Sequence, residues 1–211
     1  MTTSATAERE RLADLLLEVG PDVDTLCEGW TARDLTAHIV MRERRPDGVF
    51  GHVVKPFNEY GDKVQASIAE KPWDELVERM RSGPPSWSPM RIDAVDRAAN
   101  TVEFFVHHED VRRAQPGWSP RSLEPALRDD LHRSLRRAVR MLVRKAPAGI
   151  VLEPTDGGEP ITARKGEPIV TVRGPIGELV LFAYGRQSHA QVELDGPDDA
   201  VEAVRTAKFG F

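Results

Sequence analysis

The sequence has one cysteine, Cys27, in 211 residues. A single thiol cannot close an internal disulfide, which fits a reducing compartment. No Lys/Arg run, basic stripe or aromatic-basic platform stands out in a chain of net charge -5, and this argues against nucleic acid as a partner. No apolar run approaches the roughly 20 residues that span a bilayer. The opening stretch MTTSATAERERLADLLLEVG is charged from Glu8 onward and lacks the apolar core of a signal peptide. The expectation is a soluble, cytoplasmic protein with no membrane partner. Phosphate loops are missing too: TDGGEP (155–160) lacks the Lys-Ser/Thr of a P-loop and reads as a hairpin turn. Ser88, Ser119 and Ser188 sit in turn-like contexts without a nucleophile elbow, so a serine hydrolase is not indicated.

What is present is helical pattern. With 40% hydrophobic residues the chain can bury one substantial core, or a main domain and a smaller one. Leu12, Leu15, Leu16 and Val19 recur at helical spacing within a segment from Ala5 to Val19 that Gly20-Pro21 ends. In EGWTARDLTAHIVMRERRP, Thr31 and Asp34 form a capping-box pattern, with Asp in place of the usual Glu, and Pro46 follows the helix. Leu35, His38, Ile39 and Arg42 share one face of it. Further helices are expected over Phe57–Ala69, Trp73–Arg81, Met90–Ala114 and Leu123–Lys145. The last carries Leu127, Leu131, Leu135, Val139 and Leu142 on its inner side. At APAG (146–149) the pattern changes to short β-branched segments broken by TDGG and KGEP, which predicts a strand-rich meander. A helix over Pro175–Tyr184, a strand in HAQVELDG and a helix over Asp198–Ala207 complete the chain. The fold class is therefore mainly α, a four-helix bundle over residues 1–147 followed by a small α+β module over 148–211.

The chemistry concentrates in NTVEFFVHHEDVRRA (100–114). Ile92, Val95, Ala99, Val102 and Val106 trace a buried stripe, and Glu103 and His107 project beside it one turn apart. Burying an ionised carboxylate costs several kcal/mol unless something pairs with it. A divalent metal resolves that cost by taking carboxylate oxygen and imidazole nitrogen together. His38, on the apolar side of its own helix, is the natural third ligand. The competing account is a core histidine and an intrahelical Glu–His pair worth a few tenths of a kcal/mol.

The motifs LCEGWTARDLTAHIVMRE (26–43) and TVEFFVHHEDVRRA (101–114) resemble the mycothiol-dependent maleylpyruvate isomerase family, within the DinB-like group of metal-binding four-helix bundles. The matching positions are Gly29, Trp30, Thr31, Asp34, Leu35 and His38, then Glu103, His107 and Asp110. The tail from Pro175 to Val204 resembles the family's small C-terminal module, including Leu179 to Arg186. The resemblance implies Zn²⁺, or another divalent metal, on His38, Glu103 and His107. It also implies mycothiol as thiol cosubstrate, and tips Arg186 towards clamping a substrate carboxylate, a catalytic and cofactor-binding role. Three protein ligands leave a fourth position open. A thiol there would be held as thiolate and attack an electrophilic small molecule, as an isomerase or a thiol transferase. Two other functions stay open: a metal-dependent hydrolase using zinc-bound hydroxide, and a non-enzymatic metal- or small-molecule-binding module. Asp110 either fixes the His107 tautomer or pairs with Arg113. His108 points about 100° away from His107 and is expected on the outside or at an edge. Cys27 and Trp30 are expected to pack, although a redox role for Cys27 and a pocket-wall role for Trp30 stay open. His52, His132 and His189 have no recruiting spacing. The assembly is a monomer or a homodimer.

Overall fold

The computed structural model describes residues 3–45, 47, 58–85 and 93–210, with backbone alone at 58 and 93–99. Contacts divide the chain into two compact units, Met1–Trp118 and Ser119–Phe211. The first is a helical bundle and the second mixes helices with a sheet. No helix of the described residues is long and apolar enough to cross a membrane.

In the first unit, α1 (Ser4–Val19) starts where the Thr3 hydroxyl accepts from the Thr6 amide at 3.1 Å. It stops at Gly20, whose φ of 84° suits a residue without Cβ. The capping box expected at Thr31 and Asp34 opens α2 (Ala32–Arg44): Thr31 N–H donates to Asp34 Oδ2 at 3.0 Å, and the Thr31 hydroxyl accepts from the Asp34 amide at 3.4 Å. After these come α3 (Asn58–Ala69), α4 (Trp73–Arg81) and α5 (Asp93–Ala114). Phe57 and Met90, the expected first residues of α3 and α5, lie outside the described residues. So do Pro46, His52, Ser88 and Ile92, and the side chains of Val95 and Ala99.

The bundle core joins Leu12 and Leu16 of α1, Leu35, Ile39 and Met41 of α2, Leu76 and Met80 of α4, and Phe104 and Val111 of α5. Each such side chain contributes about 1.5–3 kcal/mol by leaving water. A buried ion pair crosses this core. The Arg9 guanidinium grips both oxygens of Glu43 at 2.6 and 2.8 Å, donates to the Met80 carbonyl at 2.9 Å, and stacks 4.4 Å over Phe104. Such a pair adds little net stability, yet breaking it strands a buried charge.

In the second unit, α6 (Pro125–Leu142) buries Leu127, Leu131, Leu135, Val139 and Leu142. The sequence pattern placed this helix in the bundle, with a boundary at 147/148. In the structure it belongs to Ser119–Phe211, because its apolar stripe packs on α7 (Ile176–Ala183), a helix buried at every residue. The strands β1 (Gly149–Pro154), β2 (Ile161–Arg164), β3 (Ile169–Gly174) and β4 (Glu193–Asp195) lie in the order β2-β1-β3-β4. A helix α8 (Asp198–Thr206) ends the unit.

The sheet is not the meander expected. TDGGEP does join β1 to β2 as a hairpin, and α6 holds that turn through Arg128 to the Asp156 carbonyl at 2.7 Å and His132 to the Glu159 carbonyl at 2.8 Å. But β3 lies on the far side of β1 and runs parallel to it, so the chain from β2 crosses the start of β1. That crossing spans two strand spacings, roughly 9.5 Å, in the four residues between Arg164 and Ile169. Gly149 makes room for it: a Cβ there would lie 2.2 Å from the Gly166 carbonyl oxygen.

Candidate metal centre

His38 sits seven residues beyond the Thr31 cap, two turns along α2, on the side turned towards α5. Glu103 and His107 stand one turn apart on α5. The three meet as the helical spacing implied. Glu103 Oε1 lies 3.2 Å from His107 Nε2 and 3.8 Å from His38 Nε2, and one donor atom from each residue lies within 4.8 Å of the others. The imidazoles approach edge to face, with ring centroids 5.8 Å apart. Arg42, one turn beyond His38, brings Nε to 3.7 Å from the same Glu103 oxygen and donates to Asn100 Oδ1 at 2.8 Å.

Behind His107 stands Asp110, whose role the sequence left open. Asp110 is fully buried, and its Oδ2 lies 3.0 Å from His107 Nδ1. Arg113, the alternative partner considered for Asp110, pairs with Glu109 at 2.6 Å. Asp110 thus directs His107 Nε2 towards Glu103 and His38. The same Oδ2 accepts from Cys27 Sγ at 3.2 Å, and the Leu26 amide donates to the Asp110 carbonyl at 3.0 Å. Cys27, expected to pack with a redox role left open, therefore holds a place beside the site. Nothing in the spacing of the sequence could link it to a helix 83 residues later.

Electrostatics follow from this crowding. Burial pushes the Glu103 carboxyl up, but hydrogen bonds with His107 and His38, then the charges of His107 and Arg42, overcome it and hold the group well below the usual carboxylate range. Burial pushes His107 down, and hydrogen bonds with Asp110, Cys27 and Glu103, with the Glu103 charge, hold it well above the usual histidine range. A proton on His107 supplies positive charge between two carboxylates, the role a cation would take.

The donor set fits a metal ion. Tetrahedral ligands bonded at 2.0–2.1 Å stand about 3.4 Å apart, and the contacts to Glu103 Oε1, at 3.2 and 3.8 Å, bracket that value. A second group, Cys27, His107 and Asp110, also places donor atoms within 4.8 Å, using the other imidazole nitrogen. The first group is the more open: the His38 and Glu103 side chains are each 25% exposed, against none for Asp110. The Trp30 ring lies beside His38, tilted against it with centroids 5.0 Å apart.

The remaining residues considered from the sequence have partners close to them in their own units. His108 is not at an edge: it is buried and lies 3.2 Å from Glu8 of α1, because α5 packs along α1 on that side. Arg186 belongs to the second unit, before the 3-10 turn Gln187–His189, where its Nη1 donates to the Tyr184 carbonyl at 2.6 Å. His132 holds the β1–β2 turn, and His189 Nδ1 lies 2.9 Å from the Ser188 hydroxyl.

Two solved structures, a mycothiol-dependent maleylpyruvate isomerase and a histidine-to-alanine mutant of it, align with 90% of this chain and 88% of theirs, at TM-scores of 0.59 and 0.61 and 17% identity. The likeness is one of fold. No family model matches the chain. A multifunctional CCA protein of Paraburkholderia phytofirmans is 42% identical over 91 residues, which are 42% of this chain and 20% of that protein. The match thus spans about a fifth of that relative's length.

Proposed function

We propose that His38, Glu103 and His107 hold a divalent metal, zinc by its donor chemistry, in a thiol-dependent enzyme. The reading is that of an isomerase or transferase in which a low-molecular-weight thiol, mycothiol, attacks an electrophilic small molecule. The observation that carries the metal is the convergence of three donor atoms from two helices, with a buried carboxylate behind one of them. The fold shared with the mycothiol-dependent isomerase supports the thiol and the reaction class.

When bound, the ion supplies a Lewis-acidic position where a thiol is deprotonated at neutral pH. The chain's own groups do the rest. Asp110 keeps the His107 tautomer fixed, with Nδ1–H donated and Nε2 forward. Were a divalent ion held by His38, Glu103 and His107 with both imidazoles neutral, the Glu103 and Asp110 carboxylates and the Arg42 guanidinium would leave one positive charge, which would favour an anionic ligand over a neutral one. Cys27 does not supply that thiol: it lies on the Asp110 side of the imidazole, opposite the nitrogen that faces Glu103.

The test is elemental analysis of tag-free protein beside His107→Ala, followed by a thiol titration of the cobalt-loaded protein. Stoichiometric metal in the parent, loss in the variant and a sulfur-to-cobalt absorption band are the expected results. Bound metal indifferent to thiols, with ester or amide hydrolysis in their absence, would replace this reading with a hydrolase.

A further inference from the structure

The second unit carries a cleft of about 440 Å³ whose rim is basic: Arg140 near the end of α6, Arg144 in the turn beyond it, Arg164 at the end of β2 and Lys165 just after it, with Thr162 among them. The secondary structure explains the gathering. Val139, Leu142 and Val143 are buried, while Arg140 near the helix end and Arg144 in the turn that follows it are exposed. In β2 the buried Ile161 and Ala163 alternate with Thr162 and Arg164, which turns the latter two outward. Folding thus joins two stretches of sequence about 20 residues apart.

These four charges are not balanced from within. Arg144 donates to the Met141 carbonyl at 3.3 Å, and Arg164 donates to the Arg144 carbonyl, so each spends part of its guanidinium on the helix end. Neither forms an ion pair with a carboxylate among the described residues, and Arg140 and Lys165 form none either. Some cations of the same unit are matched, Arg173 lying 2.8 Å from Glu153 and 3.3 Å from Asp195 and Arg133 pairing with Asp130, whereas the cleft gathers four that are not. A chain of net charge -5 has carboxylates to spare, yet none is set here. Four like charges around one concavity repel, and a multivalent anion in the middle removes that repulsion.

We propose that this cleft is a binding site for a small organic phosphate, a molecule carrying at least two negative charges. Guanidinium forks match phosphate oxygens two at a time, Lys165 adds a point charge, and the Thr162 hydroxyl adds a neutral donor. The volume is that of a small-molecule site, roughly 300–1,000 Å³, and the cations ring a cleft rather than forming the long stripe a nucleic acid backbone tracks. The proposal does not rest on the function proposed for the metal centre.

The test is a ¹H–¹⁵N NMR titration of the full chain with fructose 1,6-bisphosphate, with fructose and sulfate as controls. The parent is compared with Arg140→Glu/Lys165→Glu and with Arg136→Glu/Arg137→Glu, which makes the same charge change on exposed positions of the same helix. The expected result is saturable shifts confined to residues 140–145 and 162–165, about tenfold or more weaker in the first variant and retained in the second. Binding that fails to saturate, that falls equally in both variants, or that sulfate reproduces at the same affinity would overturn the proposal. So would a single-stranded RNA that binds far more tightly at the same residues with a steep salt dependence, since that would assign the surface to nucleic acid.

Discussion

Replacing Asp110 by asparagine keeps the shape of the side chain and removes its charge, so it isolates what the buried carboxylate does for His107. The two groups stand 3.0 Å apart with Asp110 fully buried, which makes the contact a charge-assisted hydrogen bond out of water. Hydrogen bonds to charged groups are worth about 1.5–3 kcal/mol and neutral ones about 0.5–1.5. The substitution should therefore weaken metal binding by about 1–2 kcal/mol, or roughly five- to thirtyfold. Asp110→Ala, which also removes the acceptor, should lie towards the hundredfold end of what outer-sphere partners of metal ligands typically contribute. The assay is competition with a chromophoric chelator at fixed pH, with circular dichroism to confirm the fold. Metal affinity in Asp110→Asn within a factor of about two of the parent, while His107→Ala binds none, would refute the reasoning.

Cys27→Ala should retain one metal per chain with affinity changed by less than about threefold, because a thiol is a weak donor; loss of metal there, with His38→Ala unaffected, would move the ion to the Cys27, His107 and Asp110 group. Glu43→Ala should destabilise the bundle by about 3–5 kcal/mol by stranding Arg9, and Arg9→Met on top of it should recover most of that loss in urea unfolding; equal instability of the double variant would contradict the account of the pair. Gly149→Ala should cost about 2–4 kcal/mol, because the new methyl group meets backbone at 2.2 Å rather than a side chain that can swing away. An unchanged melting temperature would mean that the β2–β3 crossing lies elsewhere.

The metal candidates were legible because helical spacing is a local property. Once Glu103 and His107 fall on one helix four residues apart, their side chains share a side whatever the rest of the chain does. His38 was legible for the same reason, through its place between Leu35 and Ile39. What spacing could not supply were partners set by tertiary packing. The thiol of Cys27 reaches Asp110 across 83 residues, and His108 finds Glu8 across 100. The apolar stripe of Leu123–Lys145 was read correctly as a buried face, but a stripe does not say which partner it faces. Likewise β3 has the composition of any short strand, and its parallel place beside β1 depends on a backbone crossing that only Gly149 hints at. The basic cleft escaped for a related reason. Its cations are spread along an amphipathic helix and a short strand, among acidic residues that draw the eye to a mixed surface.

The capping box at Thr31 sets more than the beginning of a helix. It fixes the rotational phase of every residue after it, and His38 is the one for which that phase has chemical meaning. Deleting or inserting one residue between 31 and 38 would swing the imidazole about 100° around the axis and carry a neighbour such as Ala37 or Ile39 into its place. An insertion of seven would restore the direction to within about 20° but push the ring roughly 10 Å along the axis, past Glu103 altogether. The interval from cap to ligand therefore behaves as a fixed length. Side chains along it can be exchanged if the core tolerates them, whereas its residue count cannot change without dismantling the centre.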